Sequence, residues 1–60
     1  MIKIDDLKNL FEGENILVKV GDDYNPVEIK FIVDKSLSNY VVGTDGVAYQ
    51  LDQIYTTADQ

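Results

Sequence analysis

Val27-Glu28-Ile29-Lys30-Phe31-Ile32-Val33-Asp34 is the stretch that decides the fold. Apolar side chains stand at 27, 29, 31 and 33 with Glu28, Lys30 and Asp34 between them, the period of two that marks a strand with one buried face. The same period runs upstream, where Ile16, Val18 and Val20 alternate with Leu17 and Lys19. Gly21-Asp22-Asp23-Tyr24-Asn25-Pro26 is a run of turn formers between the two. Downstream, 35–39 reads as a loop. The segments 40–44 and 47–51 then flank Asp45-Gly46, the preferred pair for a two-residue type I′ hairpin. That turn predicts Thr44 opposite Val47, Val42 opposite Tyr49 and Tyr40 opposite Leu51. Strands are therefore expected over 15–20, 27–34, 40–44 and 47–51, with a short last one over 54–57.

Before the first strand the period changes. Leu7, Leu10 and Phe11 fall at i, i+3 and i+4, Asp5 can cap, and Gly13 stands where a left-handed end is wanted, so a short amphipathic helix is expected over 5–12. Two turns of helix do not hold alone in water, so this one has to dock on the sheet. The expected sheet has a rich face of Ile16, Val18, Val20, Val27, Ile29, Phe31, Val33, Tyr40, Val42, Tyr49 and Leu51. The poor face offers Leu17, Ile32, Val41 and Ala48 among Lys19, Glu28, Lys30 and Gln50. The fold class is α+β to mainly β: one N-terminal helix, then a four- to five-stranded antiparallel meander that curls its rich face inward. In outline, these strands, with a tight third-to-fourth hairpin and a turn before the last, resemble an SH3-like small barrel. The acidic-aromatic signature and the paired Trp of peptide-binding SH3 domains are absent, so the resemblance implies a fold and carries over no site.

Composition narrows the chemistry. Sixty residues make one domain, and such a domain buries only about 60% of its unfolded surface, little room for a deep substrate cavity. There is no Cys, no His and no Trp, and all five basic residues are Lys. Without thiol or imidazole there is no disulfide, no zinc site of the common kind and no Ser-His or Cys-His pair. Ser36 and Ser38 have no His to activate them, and Asp22-Asp23 in a turn reads as solvated turn chemistry rather than an acid–base pair. The expectation is a protein that is not an enzyme and holds no cofactor or metal. Five Lys against eleven Asp and Glu, a net charge of −6, disfavour direct contact with nucleic acid. No apolar run approaches the ~20 residues of a membrane span, and Ile2-Lys3-Ile4-Asp5-Asp6 lacks the apolar core of a signal peptide. The expected location is cytoplasmic. Size, acidity and the lack of Cys fit a phage-type accessory protein.

The acidic surface is the leading candidate site. Asp5, Asp6, Glu12, Glu14, Asp22 and Asp23 crowd the expected helix and first turn, while 36–60 hold no Lys. With Tyr24 beside them as an exposed aromatic anchor, they predict contact with another protein. In the sharper form the array mimics nucleic-acid charge and blocks a basic nucleic-acid-binding partner. The bland reading is a solubilising surface, since a charge of −6 is ordinary for a small domain. The alternative is a structural homo-oligomer or assembly piece, a homodimer included, built on strand edges or on an apolar patch of Leu17, Ile32 and Val41. A lesser alternative is a calcium or small-ligand binder. Asp34, Ser36, Ser38, Val41 and Asp45 take positions one, three, five, eight and twelve of a calcium loop, with Asn39 in place of the Gly at six.

Overall fold

The computed structural model describes residues 2–56. Five antiparallel strands dominate it: β1 (Asn15–Val20), β2 (Asp23–Lys35), β3 (Ser38–Gly43), β4 (Ala48–Gln50) and β5 (Ile54–Tyr55). A single 3-10 turn, Leu51–Gln53, lies between β4 and β5. The order across the sheet is β4-β3-β2-β1-β5, so every pairing but β1 with β5 joins neighbours in the chain. β1 runs over the residues the alternation predicts. The last strand is shorter than expected, and Thr57 falls outside the described residues.

Two facts show that the sheet is curled. A flat sheet would hold its first and fifth strands about 19 Å apart, at ~4.8 Å per step. Yet β4 and β5, the outermost two, are joined by the three residues of the 3-10 turn. Moreover, the 13 residues of β2 would reach about 40 Å if straight, whereas the longest axis of the molecule is 27 Å. β2 therefore bends. Its first part pairs with β1 and its second with β3, and the ladder to β3 slips by one residue between Ile29 and Phe31. That bulge places an extra residue, Lys30, in β2 and turns the strand.

Three turns differ from the sequence reading. The Gly21–Pro26 turn shrinks to Gly21-Asp22, because Val20 already pairs with Asp23, and Tyr24, Asn25 and Pro26 belong to β2. The 35–39 loop is a two-residue turn, Ser36-Leu37, closed by the Lys35–Ser38 pair. The third turn has three residues instead of two. Val41 faces Tyr49 and Val42 faces Ala48, one step away from the predicted register. Gly43 N–H donates to Val47 O at 3.0 Å, Gly46 N–H donates to Gly43 O at 2.9 Å, and only Gly46 has a positive φ, +81°. This is a three-residue loop ending in a left-handed residue. Asp45 fixes it: Oδ1 accepts the Val47 N–H at 3.0 Å and Oδ2 accepts the Tyr49 hydroxyl at 2.6 Å. Gly43 is required for a different reason. A Cβ there would strike Val27 Cγ1 and lie 2.7 Å from Asp45 Oδ1.

The expected helix over 5–12 is absent. Its residues form two successive turns, with Leu10 N–H donating to Leu7 O at 3.2 Å and Glu14 N–H to Phe11 O at 3.1 Å. Local acceptors and the sheet compete for the N–H groups a helix would use. Asp6 Oδ1 takes the Lys8 N–H, Glu14 Oε1 takes the Phe11 N–H, and Ile29 O takes the Gly13 N–H. Leu7 and Leu10 still reach the core, but Phe11 is 68% exposed. Ahead of them, Ile2–Ile4 lie along β5: Ile4 N–H donates to Ile54 O at 2.9 Å and Thr56 N–H to Ile2 O at 2.8 Å.

Nine residues form the buried core: Leu7, Leu10, Ile16, Val18, Val27, Ile29, Val41, Tyr49 and Ile54. Ile4, Ile32 and Leu51 pack against it half-buried. The bulge and the register step explain the changes on β2 and β3 from the expected rich face, while Val20, at the end of β1 beside the turn, is exposed independently of both. A one-residue slip turns every side chain beyond it to the other side. Val41 and Ile32 thereby enter, and Phe31, Val33, Tyr40 and Val42 leave.

Candidate interaction surface

Because the register moved, Leu17, Ile32 and Val41 do not form one patch. Val41 is fully buried, Ile32 lies against the core, and Leu17 points out from β1 between buried Ile16 and Val18. The apolar interface expected there is corrected by the same slip that reassigns the core.

The acidic array is divided by the fold. β1 separates Glu12 and Glu14 at its start from Asp22 and Asp23 just past its end, roughly 20 Å for six residues at ~3.3 Å each. Asp5 lies at neither pole; it follows the segment along β5. Part of the array also serves local structure, since Asp6 and Glu14 accept backbone N–H groups in the N-terminal turns. Asp23 pairs with Val20 and Tyr24 with Lys19, so the side chains of Asp23 and Tyr24 leave β2 on opposite faces.

Tyr24 has a partner that the sequence does not pair with it. Its ring meets that of Tyr55 edge to face, with centroids 5.2 Å apart and planes at 88°. Lys19 Nζ stands 6.0 Å from the Tyr24 centroid on the same face. The register brings the three together: Lys19 faces Tyr24, and Leu17 faces both Pro26 and Tyr55. Tyr24 remains 40% exposed. Two fixed aromatic rings and one cation on an outward sheet face can stack on, and hydrogen-bond to, a partner surface at small entropic cost.

A second feature is an open groove of about 470 Å³ between the N-terminal segment and the β3–β4 side. Lys3, Asp5, Asn39, Gln50 and Asp52 line it with Leu37, which is 96% exposed at the tip of the β2–β3 hairpin. The Lys3 ammonium is already engaged, donating to Ile4 O at 3.3 Å and Leu51 O at 3.4 Å.

Asp45 and Tyr49 form the most perturbed pair of titrating groups. The Tyr49 hydroxyl and then the Val47 N–H hold the Asp45 carboxyl below its ordinary value, and the hydrogen bond to Asp45 raises the Tyr49 phenol above its own. Tyr49 is buried in the core, so the pair closes the β3–β4 loop over its rim. The calcium-loop pattern over 34–45 dissolves here. Asp34 pairs with Asn39 at one end of β3, and Asp45 lies beyond the other end. Among the described residues no three carboxylates gather as a metal would need. No described helix is long and apolar enough to cross a membrane.

No protein-family model matches the chain, and neither a curated protein nor a solved structure is significantly similar to it.

Proposed function

We propose that the chain is a small acidic protein-binding module, shaped as an SH3-like small barrel, that acts by surface complementarity rather than catalysis. The strand order, the bent β2 shared between two half-sheets and the 3-10 turn before β5 support the barrel reading. The observation that carries the binding reading is the Tyr24–Tyr55 pair, edge to face on an outward face with Tyr24 40% exposed. Aromatic anchors held in place lose little freedom on contact, which is why tyrosine concentrates at binding hot spots.

Charge supplies the second half of the reading. A net charge of −6 steers a basic protein toward the chain, speeding encounter in a way that salt suppresses. The two acidic poles, Glu12 and Glu14 at one end of β1 and Asp22 and Asp23 at the other, flank the tyrosine face. The favoured partner is therefore a basic protein with a flat or shallow contact. Blocking a nucleic-acid-binding protein by charge mimicry is the narrower form of the same proposal.

A photo-crosslinking residue in place of Tyr24, with a control in place of Val47, tests it. One discrete basic protein should be captured from position 24, competed away by the native chain, and lost as salt rises from about 0.05 to about 0.5 M. The same capture from both positions, or capture indifferent to salt, would overturn the reading.

A further inference from the structure

The β3–β4 loop holds Asp45-Gly46, the one place in the chain where Asp or Asn precedes Gly. Such a pair carries a latent reaction of its own. The Gly nitrogen can attack the aspartyl Cγ, because a residue without Cβ lets its backbone be approached closely. A C–N bond forms and closes a five-membered succinimide. The protonated carboxyl gives up its OH, which leaves as water with the amide proton. Water then opens the ring at either carbonyl. Cleavage of the Cγ–N bond restores aspartate, whereas cleavage at the main-chain carbonyl leaves isoaspartate, with unchanged mass and the main chain running through Cβ and Cγ.

The fold holds both reactants away from that geometry. Gly46 N–H donates to Gly43 O at 2.9 Å, so the attacking nitrogen is turned toward the end of β3. Asp45 Oδ1 accepts the Val47 N–H at 3.0 Å and Oδ2 accepts the Tyr49 hydroxyl at 2.6 Å, so the carboxyl is aimed past Gly46. Tyr49 belongs to the buried core and does not follow the carboxyl if it turns. The Tyr49 hydroxyl and the Val47 N–H also keep the carboxyl ionised to lower pH than usual, and the ionised form has no OH to lose.

We propose that Asp45-Gly46 is a self-modification site latched by these three hydrogen bonds: isomerisation enters only while the β3–β4 loop is open, and afterwards the loop no longer closes. The first half follows from the geometry, since ring closure has to break the Gly46, Val47 and Tyr49 bonds together, a local opening of the hairpin end. The second half follows from the product. Isoaspartate adds one atom to the main chain between Thr44 and Gly46 and shortens the tether of the carboxyl by one carbon. The loop has three residues, and Gly43 N–H on Val47 O at 3.0 Å ties its ends. It has no slack for the added atom, and the Tyr49 hydroxyl loses its acceptor. Isoaspartate at position 45 therefore accumulates with the time the loop has spent open.

Trypsin gives the readout, since 36–60 hold no Lys and come away as one peptide. The chain is aged at neutral pH, folded and in urea, and isoaspartate at position 45 is counted by chromatography and fragmentation of that peptide. The folded chain should isomerise at least about tenfold more slowly than the unfolded one, a ratio set by how seldom the loop opens. Tyr49→Phe keeps the ring and removes one of the three bonds. It should isomerise at least about threefold faster than the folded parent while circular dichroism stays native. The isolated isoaspartyl protein should melt at least about 4 °C below the parent. Equal rates in the folded and unfolded chain would overturn the latch, and that comparison needs no variant. A folded Tyr49→Phe that isomerises no faster than the parent would remove the hydroxyl from it. An isoaspartyl chain as stable as the parent would overturn the one-way step.

Discussion

The two parts of β2 have nearly the same sequence pattern and opposite orientations. Up to Ile29 the odd residues point inward: Val27 and Ile29 are buried, and Tyr24 and Glu28 look out. After the bulge the even residue Ile32 packs on the core, and Phe31 and Val33 look out. One additional residue, Lys30, makes the difference. Polarity alone does not place a strand's inside, since Phe31-Ile32-Val33 is apolar at every position and can present either side. What resolves it is the partner strand. Gly43 admits β3 close against Val27, and the pairing that follows sends Val41 into the core opposite Ile32.

Removing the inserted residue should break this comparison most severely. Deleting Lys30 lets the ladder run on without a slip: Phe31 stays opposite Val42 and Ile32 opposite Val41, but β2 loses the bulge that bends it from β1 toward β3, and the sheet can no longer curl over its core. The variant should show no cooperative thermal transition by circular dichroism, because a 60-residue domain has only about 3–5 kcal/mol to lose. A melting midpoint within a few degrees of the parent would mean that the bulge is incidental.

Gly43→Ala attacks the close approach itself. The new Cβ meets Val27 Cγ1 in the core and the Asp45 carboxylate that holds the β3–β4 loop, and should cost about 1–3 kcal/mol by denaturant titration. No loss of stability would show that β3 can retreat from β2 without harm.

Ile32→Ala and Phe31→Ala then sharpen the contrast between neighbours. On dilute, monomeric protein the first should cost about 1–2 kcal/mol and the second under about 0.5, although phenylalanine is the larger side chain. Equal losses would mean that both faces of β2 past the bulge are packed.

Much of the architecture was open to the sequence. Apolar residues at every second position over 15–20 and 27–33 announce two strands, and the Asp45-Gly46 pair announces a turn in the right place. The turn's length was not open, because Asp-Gly suits both a two-residue loop with two left-handed residues and a three-residue loop with one. The choice rests on the Asp45 side chain, whose bonds to Val47 and Tyr49 form only in the folded hairpin. A step of one residue there interchanges Val41 and Val42, so the predicted patch of Leu17, Ile32 and Val41 lost Ile32 and Val41 to the core side, while Phe31, Val33, Tyr40 and Val42 came to the outer face. The helix misled for another reason. Leu7 and Leu10 are as buried as the helical spacing requires, but two i→i+3 turns satisfy the same burial, and Asp6, Glu14 and Ile29 O take the N–H groups a helix needs. Of the candidate site, Tyr24 was legible as an exposed aromatic. Its contact with Tyr55 was not, since 31 positions of chain separate them and only the β1–β5 pairing joins them.

The smallest effect expected lies in the bond that fixed the register. The Asp45 carboxyl is held below its ordinary pKa, so its contribution to stability is present above the ordinary aspartate value of about 3.9 and is lost as pH falls through the lower folded value. The Tyr49 phenol is held above its ordinary value, so its contribution is present below about pH 10 and is lost as pH rises through the higher folded value. Tyr49→Phe keeps the buried ring and removes the hydroxyl. Tyrosinate absorbance should lose the component raised by the bond to Asp45, and the acid limb of the stability curve should move to higher pH as the Asp45 pKa rises toward its ordinary value, with the Val47 N–H still holding it down. An acid limb that stays where it is in the variant would show that the hydroxyl does not favour the charged carboxyl. The three-residue loop would then rest on Gly46 and the Val47 N–H alone.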